Sequence, residues 1–268
     1  MPTIDVNGAR IAYTDTGPHD APTVLFGHGL LFSGWMFHPQ IAALRERYRC
    51  VTIDWRGQGA SPPAPAGYDM DTLTADAVAL IEKLDLAPVH WVGLSMGGFV
   101  GQRLAARHGE LLRSLTLLDT SATAEGPRKA RRQKLLARIQ QLAGIKTVLP
   151  QVKPLLFGPV FLADPAGQAI VDEWVRRICR VDRGAVRRAV LGVACRQPIT
   201  GELAAIRVPT LVVVGADDKA TPPPESERIA AAVSGAQLRI VPDCGHTSTL
   251  EQPEAITALL EKFLAGAC

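Results

Sequence analysis

The stretch Val89–Phe99 constrains the fold of this chain more than any other. Val89–Leu94 reads as a short buried strand, and a helical pattern runs from Met96 to about His108. Between them stands one serine, with a glycine two residues away on either side. A serine at so abrupt a strand-to-helix turn needs a strained backbone, and neighbours with side chains would clash with the strand or the helix. Gly93 and Gly97 remove that clash and leave Ser95 exposed above the end of a sheet. The N–H of Met96 opens the helix, so it faces any negative charge that forms beside the serine hydroxyl.

The rest of the chain supplies that sheet. Asn7-Gly8 joins the alternating runs Thr3–Val6 and Ala9–Tyr13, which predicts a hairpin. Thr23–Phe26 and Cys50–Asp54 read as strands, and between them positions 37, 41, 44 and 48 share one helical face. A helix capped by Asp71 follows, then the serine turn, then a strand over 114–119. Apolar strands alternating with helices predict an α/β fold, a mostly parallel, doubly wound sheet covered on both faces. The alternation stops at Thr120. Residues 121–200 carry helical patterns alone, at 127–143, 147–157, 165–180 and 182–195. Strand–helix rhythm returns with Thr210–Gly215, a helix opening at Pro222 or Pro223, the strand Gln237–Val241 and a last helix near 252–264. One core domain is therefore expected from residues 1–120 and 201–268, with 121–200 inserted as a helical cap.

Gly93-x-Ser95-x-Gly97 between strand and helix resembles the nucleophile elbow of the α/β-hydrolase superfamily. Further segments carry the same resemblance in the same order: His28-Gly29 after one strand, Asp54-x-Arg56-Gly57-x-Gly59 after the next, Gly215-x-x-Asp218, and Gly245-His246 followed by Glu251-x-Pro253. Elbow and cap size look nearest to the 3-oxoadipate enol-lactonase and small carboxylesterase group. The resemblance spans nearly the whole chain and implies roles for particular residues. Ser95 would be the nucleophile and His246 its base; of six histidines, His246 alone lies past a strand C-terminal to Ser95. Asp218 would hold the histidine, because family members most often place the acid three residues after that glycine. Asp217 and Asp119 are the alternatives. The N–H groups of Leu30 and Met96 would form the oxyanion hole. His28 would order its loop, with Gly29 beside the pocket, Trp35 packing near it, and Gly93 and Gly97 supporting the turn. A serine at the elbow excludes the alkyl-ester chemistry of epoxide hydrolases and haloalkane dehalogenases of this fold, which use aspartate there.

Charge and cysteine usage bear on partners. Formal net charge is +3, but residues 121–200 hold 15 Lys+Arg against 5 Asp+Glu. That excess is either a solvated set of helices or a lid whose field attracts an anionic substrate. It is not interleaved with aromatics and carries no binding motif, so nucleic acid is not expected as a partner. No run approaches the ~18 apolar residues of a membrane span, and the first residues lack the charged-then-apolar order of a signal peptide. Cysteines at 50, 179, 195, 244 and 268 are odd in number and widely spaced, as free thiols in a cytoplasmic protein would be. Neither a metal nor an organic cofactor is expected. The resemblance implies a serine hydrolase that cleaves a small ester or lactone, with a carboxylate-bearing lactone as the leading substrate. A C–C bond hydrolase, a cofactor-free perhydrolase, and a small-molecule receptor with a retained triad are the alternatives.

Overall fold

A computed structural model describes residues 1–267. Cys268 lies outside the described residues; Cys50, Cys179, Cys195 and Cys244 are free thiols. Strands β1 (Thr3–Val6) and β2 (Ala9–Thr16) form the expected hairpin, with Asn7 at φ 45° and Gly8 at φ 74°. Both angles belong to the left-handed region, which is why Asn-Gly serves so tight a turn. Next come β3 (Thr23–Gly27), α1 (His38–Leu44), β4 (Arg49–Ile53), α2 (Met70–Lys83), β5 (Val89–Leu94), α3 (Met96–Arg107) and β6 (Leu112–Leu118). Five helices then follow without a strand: α4 (Pro127–Ala143), α5 (Leu149–Leu156), α6 (Pro159–Ala163), α7 (Pro165–Ile178) and α8 (Arg183–Ala194). The chain ends with β7 (Thr210–Gly215), α9 (Pro223–Ala232), β8 (Gln237–Val241), α10 (Ser248–Glu251) and α11 (Pro253–Gly266).

The eight strands form one sheet in the order β1-β2-β4-β3-β5-β6-β7-β8. β2 pairs antiparallel with both its neighbours, while β4 through β8 pair in parallel. Successive side chains of a strand point to opposite faces, so Val24 and Phe26 pack on one side and Leu25 on the other. One layer joins Leu25, Trp91 and Leu115 to Leu80 of α2, Val100 of α3 and Ile229 of α9. The opposite layer joins Val24, Phe26 and Val92 to Leu44 of α1 and Ile256 and Leu260 of α11. Chain order reverses between the paired strands β3 and β5, since β4 lies outward of β3 and β6 outward of β5. Loops leaving such a point diverge and open a crevice at the carboxyl ends of the strands.

Several boundaries differ from expectation, each for a local reason. Asp69, not Asp71, caps α2 and accepts the Thr72 N–H at 2.9 Å. Asp71 instead accepts from Arg103 at 3.0 Å and Arg107 at 2.7 Å, tying α2 to α3. The pattern over 37–48 holds only the seven residues of α1, preceded by a 3-10 turn at Gly34–Phe37. Helix α6 was not anticipated, because five residues are too few to show a period. The terminal pattern divides at Gln252, where Pro253 opens α11 in the first-turn position that proline favours.

Candidate active site

Between β5 and α3 the turn consists of Ser95 alone, at φ 51° and ψ −107°. This conformation is costly for a residue with a Cβ, and close backbone packing enforces it. A Cβ on Gly97 would stand 1.9 Å from the Gly27 carbonyl oxygen, and one on Gly93 would stand 2.3 Å from that of Gly97. β3, β5 and α3 therefore touch backbone to backbone beneath the serine. Its amide donates to Leu118 O at 2.8 Å, and its carbonyl accepts the Thr120 hydroxyl at 2.8 Å.

The loops after β7 and β8 bring two more of the expected residues to this point. His246 Nε2 lies 2.9 Å from Ser95 Oγ, and His246 Nδ1 lies 2.8 Å from Asp218 Oδ2. All three side chains are buried. Asp218 is held by its own loop: Oδ1 accepts the amides of Ala220 at 2.7 Å and Thr221 at 2.9 Å, and Oδ2 accepts the Thr221 hydroxyl at 2.9 Å. With Asp218 accepting from Nδ1–H, the lone pair of His246 is left on Nε2, facing the serine. Burial alone would lower the pKa of His246, but the charge and hydrogen bond of Asp218 outweigh it and raise the value above the ordinary 6.5.

The alternative carboxylates stand differently. Asp119, at the end of β6 with φ 47°, accepts the Gly215 N–H at 2.9 Å and the Ser248 hydroxyl at 2.5 Å. Burial, and then the nearby charge of Asp218, push its pKa up. A buried carboxyl next to another is held toward its neutral form in this way. Asp217 donates its amide to Cys244 O at 2.8 Å, and among the described residues neither it nor Asp119 hydrogen-bonds the imidazole.

Leu30 follows His28 and Gly29 out of β3, directly opposite the serine turn. No hydrogen-bond partner is found for the amides of Leu30 and Met96 among the described residues. His28 is fully buried; Nε2 accepts the Trp55 N–H at 3.0 Å and Nδ1 lies 2.7 Å from Gly29 O. Burial lowers its pKa, so it remains a neutral brace for the loop. Gly29 passes close to the turn: a Cβ there would lie 3.5 Å from that of Ser95. Trp35 stands apart, against a separate surface cavity with the Arg177 guanidinium 4.9 Å over its ring. Sequence reasoning missed two braces. Leu31, at φ 69°, donates its amide to Gln58 Oε1 at 2.9 Å, and its carbonyl accepts the Trp174 indole N–H at 3.0 Å. Gln58 sits inside the glycine loop already noted; Trp174 had no signal, since an inward tryptophan on a helix reads as core.

A cavity of about 130 Å³ opens beside Ser95 and His246. Leu30 and Phe99 line it from the sheet side, and Leu136, Val148, Leu156 and Val190 from the helices between β6 and β7. Its polar portion comprises Gln133, Gln140 and Thr221 with a set of paired charges: Glu125 accepts from Lys129 at 3.1 Å and from Arg196 at 3.1 Å, and the Arg196 guanidinium lies 4.3 Å over the Phe99 ring. Burial by itself would raise the pKa of Glu125, but those two cations outweigh it and hold it low. Of the 15 cations in residues 121–200, these two line the cavity.

The alpha/beta hydrolase family model matches residues 24–259. A putative non-heme bromoperoxidase of Mycobacterium tuberculosis is 32% identical over 265 residues, covering 96% of this chain and 98% of that protein. Among solved structures, a thermophilic esterase from Thermogutta terrifontis with malate bound superposes with a TM-score of 0.92 at 27% identity, over 100% of this chain and 99% of that one. The enol-lactonase from Burkholderia xenovorans LB400 superposes with a TM-score of 0.91 at 28% identity, over 98% of this chain and 100% of that one.

Proposed function

The chain belongs to the alpha/beta hydrolase family, and from that premise we propose that it is a serine hydrolase of small carboxylic esters or lactones. The observation that carries this reading is the linear contact Ser95–His246–Asp218, with hydrogen bonds of 2.9 Å and 2.8 Å. Ser95 Oγ attacks the carbonyl carbon while His246 Nε2 takes its proton, and Asp218 stabilises the resulting imidazolium. The oxyanion lies between the free amides of Leu30 and Met96; losing one such donor typically lowers the rate 10²–10³-fold. The imidazolium then returns its proton to the leaving alkoxide. Water, deprotonated by His246, attacks the acyl-enzyme and releases the acid.

Residues 121–200 serve in this reading as a cap that supplies most of the acyl wall. A cavity of about 130 Å³ is close to the ~150 Å³ apolar cavity that binds benzene, so an acyl group of about six carbons fills it. The wall is mostly aliphatic, and the two cations that line it are paired with Glu125. A neutral acyl chain is therefore the preferred occupant, and a carboxylate-bearing lactone would bind only by competing for Lys129 or Arg196. A second reading is favoured by the bromoperoxidase-named relative: hydrogen peroxide in place of water as acyl acceptor, giving a peracid from the same acyl-enzyme.

A panel of p-nitrophenyl esters from acetyl to decanoyl, five- and six-membered lactones, and a vinylogous diketone as C–C substrate tests the proposal. The expected outcome is a kcat/KM maximum near six acyl carbons, with no C–C cleavage. Cleavage of the diketone with no ester turnover would overturn it.

A further inference from the structure

We propose that Glu251 is a positioning residue that couples the helical segment between β6 and β7 to the orientation of His246. The proposal rests on the serine-hydrolase reading above. Glu251 ends α10, and its buried carboxylate faces back into the histidine loop. Oε2 accepts the Gly245 amide at 2.8 Å and Oε1 accepts the Thr247 amide at 3.0 Å, so one carboxylate holds the N–H groups on both sides of His246. The Thr247 hydroxyl lies 2.8 Å from Oε1 and 3.1 Å from Leu156 O.

The fourth donor comes from another part of the fold. Gly158, between α5 and α6, donates its amide to Oε2 at 2.9 Å. At this point the two backbones meet without side chains between them. A Cβ on Gly158 would stand 2.9 Å from both Gly245 N and Glu251 Oε2, and one on Gly245 would stand 2.3 Å from Gly158 N. The histidine loop and the segment 156–158 are thus clamped through one carboxylate and one close backbone contact. Asp218 reads the other edge of the imidazole, so Glu251 and Asp218 fix His246 from its backbone and its ring.

A carboxylate offers four acceptor positions and no donor, which matches four surrounding N–H and O–H groups. Glu251→Gln keeps the size but points an NH₂ at amides that also donate. His246 would then lose its seat by a fraction of an ångström to an ångström, a displacement that costs on the order of 10² in rate. Movement of the segment 156–158 would have the same effect, because it removes one of the donors that fixes the carboxylate.

The test compares wild type, Glu251→Gln, Gly158→Ala and the double variant by rate of phosphonylation with a fluorophosphonate and by steady-state hydrolysis of p-nitrophenyl acetate. Each single variant is expected to lose on the order of 10² in labelling rate and in kcat, with KM within about threefold. The double variant is expected to be no slower than the slower single, since both act on one contact. Should Glu251→Gln fail to fold, Gly158→Ala, which leaves the carboxylate in place, carries the comparison. Labelling of Glu251→Gln at the wild-type rate, effects confined to KM or to thermal unfolding, or an additive double variant would overturn the coupling. Wild type that is never labelled at Ser95 would instead overturn the serine-hydrolase reading itself.

Discussion

The imidazole of His246 receives opposite influences from its surroundings, and their balance sets a testable pH dependence. Burial lowers its pKa, the charge and hydrogen bond of Asp218 raise it, and the sum lies above 6.5. In the proposed mechanism only the neutral imidazole accepts the serine proton, so activity is expected to fall as pH drops through the raised value. The acid limb of kcat/KM is therefore expected above pH 6.5. Asp218→Asn removes the charge that does most to raise the pKa against burial, so the limb is expected to move to lower pH and kcat to fall by about 10⁴-fold, as loss of a triad carboxylate does elsewhere. Asp217→Asn, at a residue that makes no hydrogen bond to the ring, is expected to change kcat less than about threefold. A pH–rate series on the three proteins checks all of this, and a larger loss at Asp217 would show that the wrong carboxylate is assigned. At this scale the sequence was most informative. That Ser95, His246 and Asp218 would meet could be expected from motif order, because the family resemblance puts those residue types at those loops. Glu251 could be seen only as part of a Glu-x-Pro pattern, since its role depends on Gly158, which is 93 positions away in the chain.

Among the elements, the serine turn depends on how closely β3, β5 and α3 approach. Gly97→Ala places a methyl group 1.9 Å from Gly27 O, where neither backbone has room to yield without moving a strand. Overpacking of this kind costs roughly 1–3 kcal/mol. A fall in unfolding free energy by that amount, read from a lowered denaturant midpoint at unchanged m, with activity reduced more than stability explains, is the expected result; an unchanged midpoint would mean that the turn has room for a methyl group. Trp174→Phe tests the other side of the pocket. It keeps the aromatic packing against Phe32 and Phe157 but removes the indole N–H that fixes Leu31 O. Its kcat should fall about tenfold with a smaller change in stability, because the loop that carries the Leu30 amide loses a brace. Strands and long helices were legible from apolar period, down to the limits of α4 at 127–143. Short elements were not, and Asp69 displaced Asp71 as cap because Asp71 found two arginines on α3. No single-chain pattern records such a competition.

For the molecule as a whole, the sheet order explains why residues so far apart meet. The loops leaving the paired strands β3 and β5 diverge, and the loops after β3, β5, β7 and β8 all open at the same carboxyl edge of the sheet. The helices between β6 and β7 close over that edge, and their apolar faces make the cavity while most of their cations face solvent. The charge excess read from the sequence therefore lies mostly outside the cavity. Raising ionic strength should lower kcat/KM several-fold for an anionic ester and leave a neutral ester of the same length nearly unchanged. Equal responses would reduce the basic surface to ordinary solvation. What the composition of 121–200 could not show was which of its cations face inward, because that is decided by packing against the core. No helix among the described residues is long and apolar enough to cross a membrane.

The proposed mechanism requires Ser95 to form and release an acyl-enzyme. Mixing the protein with p-nitrophenyl butanoate and quenching during the first turnover, followed by mass analysis, measures it directly. A butanoyl adduct on Ser95 is expected, absent in Ser95→Ala, with release of many equivalents of p-nitrophenol per site as water activated by His246 hydrolyses it. An adduct on another residue, or one equivalent of product with no further turnover, would contradict it.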